Sequence, residues 1–186
     1  MTKTYRAYVL IFSISILWGT IPLIIKTTSI SSLGLVGVRT LVGSITLFLF
    51  IDKSKKNLST ILKHSHILGP LLAIHWATMF ESINLNSVAV GIGLVFTYPI
   101  FLILIKIFMG IPTKRIQLYL VVFGFFGVYL LLGIDKISSN LGILYGLMSA
   151  FTLALLIIYG EPLTKTLGGL NVAFSQVSIA ALCLIP

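Results

Sequence analysis

The feature that most constrains this chain is where its charges are missing. No Asp, Glu, Lys or Arg lies between Arg6 and Lys26, Lys63 and Glu81, Glu81 and Lys106, Arg115 and Asp135, Lys136 and Glu161, or after Lys165. An α-helix rises ~1.5 Å per residue, so about 20 apolar residues cross a ~30 Å hydrocarbon layer. The uncharged stretches recur at about that length, so an all-α polytopic membrane protein is expected. Runs such as VAVGIGLVFTYPIFLILI (88–105) are apolar on every face. They lack the alternation over ~10 residues that marks the strands of a membrane β-barrel. Bulk composition agrees: 58% of residues are hydrophobic, 9% are charged and the mean hydropathy is +1.11. Soluble domains carry about 25% charged residues.

About seven transmembrane helices are expected, at 7–25, 33–51, 67–85, 87–108, 117–134, 141–160 and 170–186. Lys3 and Arg6 ahead of an apolar run resemble a signal peptide, but that run carries Pro22 and no small-residue cleavage pattern, so it reads as a retained first span. With the N-terminus inside, the inner segments hold Lys3, Arg6, Lys53, Lys55, Lys56, Lys63, Lys114, Arg115 and Lys165, with Lys106 near the inner end of span four. The outer side keeps Lys26, Lys136 and Arg39, an asymmetry of about ten to three. The net charge of +9 is therefore read as a topology signal rather than as a nucleic-acid footprint. The expected location is the cell (plasma or inner) membrane, with the N-terminus cytoplasmic and the lipid bilayer as the first partner. Cys183 has no second cysteine to pair with.

Gly142 and Gly146 form a Gly-x-x-x-Gly pair, and Gly34, Gly37 and Gly43 lie along span two, positions where backbones can approach closely. Pro22 and Pro99 fall inside spans one and four, where proline removes an amide donor and kinks the helix. Such a kink either serves packing or opens backbone onto a cavity.

LWGTIPLIIK (17–26), GVRTLVGSITLFLF (37–50), INLNSVAVGIGLVFTYPIFLILI (83–105), GILYGLMSAFTLALLIIYGEPLTK (142–165) and FSQVSIAALCLIP (174–186) form an ordered series, and together they resemble the EamA-type domains of the drug/metabolite transporter superfamily. The first stretch resembles the first-span signature, a Trp-Gly pair followed by a proline and a basic residue. The second resembles the second-span signature, and the third the passage from the third span to the fourth. The fourth is similar to the start of a second repeat, and the fifth to its next helix. The resemblance implies ten spans in two five-helix repeats, the second inverted because five is odd. Residues 1–136 would form the first repeat and 137–186 the start of the second, with Pro22-Leu23 and Pro162-Leu163 offset by about 140 residues. A complete second repeat would need roughly another hundred residues. A fragment or a shortened gene is therefore expected, and a homodimer is the arrangement that would complete the fold. Where the family often has a Gly-Glu pair after span four, this chain reads Gly110-Ile111-Pro112, without the carboxylate.

The candidate substrate-binding residues are Arg39, Glu81, His75, Tyr98 and Trp18. Arg39 lies about six residues into span two, ~9 Å deep, where a charge is expected to face a partner or a cavity. Glu81 sits at similar depth in span three, so the two would pair or jointly line an outer vestibule. Alternatively, Arg39 snorkels to the headgroups and Glu81 is solvated. His75 and Trp76 are mid-span; a histidine there binds substrate, relays a proton or packs through hydrogen bonds. Thr97 and Tyr98 precede Pro99, and Trp18 and Thr20 precede Pro22, placing hydroxyls and aromatic rings beside helix breaks. Glu161 and Lys165 have the spacing of a helical ion pair. His64 and His66 have no third ligand nearby, so no metal is expected, and no cofactor. The chain has no phosphate-binding Gly-Lys-Ser/Thr loop, no Gly-x-Ser-x-Gly and no His-Glu-x-x-His, which argues against an ATP-driven motor and against an enzyme. The resemblance implies a secondary transporter of small metabolites, ion-gradient-driven or facilitative, exporting by alternating access. The alternative is a non-transporting fragment or a small membrane assembly subunit.

Overall fold

The computed structural model describes residues 3–51, 62–63, 65–132 and 138–184. Lys53, Lys55, Lys56 and His64 of the basic inner loop, and Asp135 and Lys136, lie outside the described residues. Within them the elements are α1 (Lys3–Thr27), α2 (Ser32–Phe50), α3 (Leu68–Leu85), α4 (Val88–Val95), α5 (Tyr98–Phe108), α6 (Arg115–Leu132), α7 (Asn140–Leu167) and α8 (Gly169–Leu184). Four stretches are long and apolar enough to cross a membrane: Thr4–Thr27, Ser32–Phe50, Val88–Phe108 and Asn140–Leu167. Shorter apolar helices cover Arg115–Gly127 and Gly169–Leu184. α3 carries His75, Glu81 and Asn84, which dilute its hydropathy.

Local chemistry sets the helix starts. The hydroxyls of Ser31, Ser87 and Ser139 each accept from a backbone N–H three residues on, those of Gly34, Val90 and Gly142, all at 3.2 Å. Each occupies one donor that the first helical turn leaves free. The apolar stretch 88–108 is broken in two because Pro99 has no N–H to return to Val95. The chain tightens there, with Thr97 N–H donating to Leu94 O at 3.1 Å and Ile100 N–H to Thr97 O at 3.0 Å. Pro22, by contrast, sits within a continuous α1. α7 runs beyond the expected end at 160, through Pro162, to Gly168. The Lys165 Nζ–Glu161 Oε1 pair at 2.7 Å spans the extension, and Gly168 closes it at φ 84°, a conformation that favours glycine.

Cross-helix contacts fix the directions. α2 and α8 run antiparallel: a Cβ on Gly37 would face Leu184, Ser44 Oγ and Ser178 Oγ are 2.6 Å apart, and the Phe48 and Phe174 rings lie 5.8 Å apart. α3 and α7 are also antiparallel, joined by His75 with Ser149 and by Asn86 with Ser139. α3 and α8 are parallel, with Ser65 Oγ against Ser175 Oγ at 2.6 Å and Gly69 against Ile179 and Ala180. α1 runs with α3: Lys26 Nζ donates to Asn84 O at 3.0 Å, a cation at a helix C-terminus. α3 is thus the central helix.

Small hydroxylated residues share the interior with apolar ones such as Phe80, Ile83 and Leu68, and large apolar side chains cover the outside. Thr40, Ser65, Ser82, Ser149 and Ser175 are fully buried, while Phe12, Leu49, Phe108 and Phe123 face outward. A lipid solvent gives no hydrophobic reward for hiding leucine, so small and hydroxylated residues take the helix contacts. The Ser44–Ser178 bond is a measurable instance. A double-mutant cycle with Ser44→Ala and Ser178→Ala should give a coupling of ~0.6 kcal/mol in detergent unfolding, the usual size of such a bond between membrane helices.

Candidate functional site

A cavity of about 330 Å³ opens between α1, α2, α3, the α4–α5 break and α7. That size lies at the lower end for small-molecule sites. Trp18, Ile21, Pro22 and Ile25 reach it from α1, and Arg39 from α2. His75, Trp76 and Met79 line it from α3, Ile92, Val95, Phe96 and Tyr98 from around the break, and Leu153 and Ile157 from α7. These positions come from segments far along the sequence from one another, and only the bundle brings them together.

Arg39, His75, Tyr98 and Trp18, four of the five residues singled out in the sequence, therefore share one cavity. Glu81 does not line it, and among the described residues it forms no ion pair with Arg39. The reason is helical geometry. Glu81 is five positions after Trp76, ~7.5 Å farther along α3 and about 140° around it. Arg39 instead lays its guanidinium over the Trp76 ring, 4.1 Å from the centroid. Thr97 Oγ1 donates to Leu94 O at 2.7 Å and Thr20 Oγ1 to Leu17 O at 2.7 Å, so both hydroxyls are occupied within their own turns.

His75 is buried at 6% exposure, and two residues clasp each other at its position. Its Nδ1 lies 2.9 Å from Ser149 O and 2.9 Å from Ser149 Oγ, while Ser149 Oγ donates to His75 O at 3.0 Å. A carbonyl only accepts, so the hydrogen sits on Nδ1, which orients the ring. Ser149 gives no sign of this role in the sequence, being one small residue among many in α7.

Arg39 is the energetic anomaly of the site. Its Nη1 is buried and has no hydrogen-bond partner among the described residues. An arginine at the bilayer centre costs about 2.5–3.5 kcal/mol, an upper bound for Arg39 at ~9 Å depth. The stacking on Trp76 returns about 0.5–2 kcal/mol. A deficit of up to ~3 kcal/mol remains by that comparison. The other walls are aromatic and aliphatic, and Trp18 is 67% exposed on the α1 side.

A model of the EamA-like transporter family matches residues 5–133. No curated protein and no solved structure gave a significant match. The matched stretch takes in α1 to α6 and every residue of the cavity wall except Leu153 and Ile157. The chain belongs to the EamA-like transporter family of the drug/metabolite transporter superfamily, a family of membrane transporters.

Proposed function

We propose that this chain is a secondary transporter of small metabolites, working by alternating access around the cavity between α1, α3, the α4–α5 break and α7, in the exporting direction. The observation that carries the reading is the convergence of Arg39, His75, Tyr98 and Trp18 on one mid-bundle cavity beside a broken helix. Discontinuous helices near the bilayer midplane supply polar backbone where a substrate binds. Helix directions support a division at about 136 into a five-helix repeat and the start of an inverted one. α7 runs opposite to α1, and α8 opposite to α2, as inverted mates must. Such repeats would rock against each other across the cavity, with α7 as the wall from the second repeat.

The same directions gather Arg6, Lys63, Lys106, Lys114, Arg115 and Lys165 at one end of the bundle, with Lys26 at the other. That supports a cytoplasmic N-terminus in the cell membrane. The test is solute counterflow into proteoliposomes holding the purified chain, with amino acids, nucleobases, sugars, organic acids and amines as preloaded solutes. Exchange of at least one class severalfold above protein-free vesicles is expected. Exchange of none overturns the reading and leaves a non-transporting assembly subunit.

A further inference from the structure

Among the described residues the cavity has one fixed cation, Arg39, and no carboxylate lines it. Arg39 enters from α2 with an ionic head whose Nη1 has no partner among the described residues. The guanidinium carbon lies 4.1 Å from the centroid of the Trp76 ring, and Arg39 lines the cavity, so its nitrogens other than the buried Nη1 are the ones that would meet a bound group. A guanidinium edge matches a carboxylate with two parallel N–H···O bonds. A single positive charge in surroundings this apolar balances one negative charge. A phosphate dianion would leave a second charge unmatched, and an ammonium would meet only repulsion. The remaining walls, with Trp18, Phe96 and Tyr98, offer ring faces and edges to a flat apolar body.

We propose that the substrate is a compact organic monoanion, a carboxylate borne on an aromatic or branched apolar body. Arg39 receives the carboxylate and Trp18, Phe96 and Tyr98 receive the body, while amines and zwitterions are excluded. This rests on the transporter reading of the cavity and narrows it. It also turns the unpaired arginine from a structural defect into the specificity-determining residue.

The chain has two tryptophans, Trp18 and Trp76, and both line the cavity; Trp18 is also 67% exposed, so the fluorescence is read on a Trp18→Phe chain, in which Trp76 beside Arg39 is the single reporter. The experiment titrates 3-phenylpropanoate, 3-phenylpropanamide and 3-phenylpropylamine into the full chain in phosphatidylcholine nanodiscs, which carry no net anionic headgroup. The acid is expected to change the fluorescence saturably, with a Kd at least tenfold below that of the amide, and the amine to have no effect. In Arg39→Gln the preference for acid over amide should fall to near unity, and Arg39→Lys should keep part of it. Should Arg39→Gln fail to fold, the comparison of acid with amide on the chain that keeps Arg39 still decides. Equal affinity for acid and amide, or an acid preference that survives in Arg39→Gln, overturns the proposal. So does a response to phosphatidylglycerol that matches the acid's and blocks it, because the anion would then be a lipid headgroup. Acid-selective binding without counterflow would retain this inference and sink the transporter, whereas counterflow of amines or neutral solutes alone would do the reverse.

Discussion

Gly146→Leu is expected to unfold the contact between α7 and the α3–α4 corner, lowering stability by about 3 kcal/mol or more, above the common range for overpacked cores. A Cβ at this position would lie 2.6 Å from Leu94 Cβ and 2.8 Å from Ser82 Oγ. Neither neighbour can withdraw, since Cβ is fixed to its backbone and Ser82 is fully buried. The loss of helix packing in lipid is not offset by burying more hydrocarbon, because the tails are as apolar as leucine. Gly160→Leu is the matched control on the same helix. Nothing lies within 4 Å of its Cβ, so a change within ~0.5 kcal/mol is expected. Both are read by circular-dichroism melting in detergent, and equal losses for the two would refute the close-packing account.

The second large effect is expected at Asn86, which latches the α3–α4 turn to the start of α7. Its Oδ1 accepts from Ser138 N–H and Ser139 N–H, each at 2.9 Å, and its Nδ2 donates to Ser139 O at 3.3 Å. The residue is 5% exposed, so water cannot easily replace these bonds. Asn86→Leu keeps the branched outline in a bulkier side chain and leaves Ser138 N–H and Ser139 N–H without partners, while Ser139 O keeps its bond from Ile143 N–H. At ~0.6–1 kcal/mol for each lost bond, plus the desolvation of what is stranded, about 2–4 kcal/mol should be lost. Asn86→Asp keeps the one oxygen that accepts from both N–H groups but sets its second oxygen against Ser139 O and buries a carboxyl, so it should recover only part of the loss. A smaller loss for leucine than for aspartate in the same unfolding assay would show that the latch carries no weight. The joint it closes is the one at which the second repeat would begin, so a weakened latch is also expected to slow any rocking transport cycle.

A reading of the chain alone marks Gly142 and Gly146 as a Gly-x-x-x-Gly pair where backbones can approach, but not how close the approach is; it passes over Asn86. The structure supplies the difference, because a Cβ on Gly146 would collide with Leu94 while one on Gly124 or Gly127 meets nothing. Asn86 reads as an ordinary loop asparagine. The cavity residues were legible for a different reason. A charged, imidazole or hydroxylated side chain in mid-span is costly wherever it points, so Arg39, His75 and Tyr98 stand out without knowledge of their neighbours. Their neighbours were not legible. Arg39 meets an aromatic face rather than Glu81, and Ser149 holds His75.

The division follows from the range of the forces. Spanning a bilayer is a local requirement: each window of the chain must satisfy its own backbone and supply enough apolar length, so helices and their approximate limits follow from composition along the chain. Capping serines, the proline break after Val95 and the lysines near helix ends act over three or four residues and are equally local. Which faces meet is a different matter. It depends on the rotation of each helix about its axis and on contacts between residues dozens to more than a hundred positions apart, as with Ser65 and Ser175. A rotation of one residue, about 100°, would keep every hydropathy window unchanged and remove Arg39 from the cavity. The bundle alone decided that Arg39 stacks on Trp76, that Glu81 stays outside, and that four polar and aromatic side chains from four separate segments surround the same small volume.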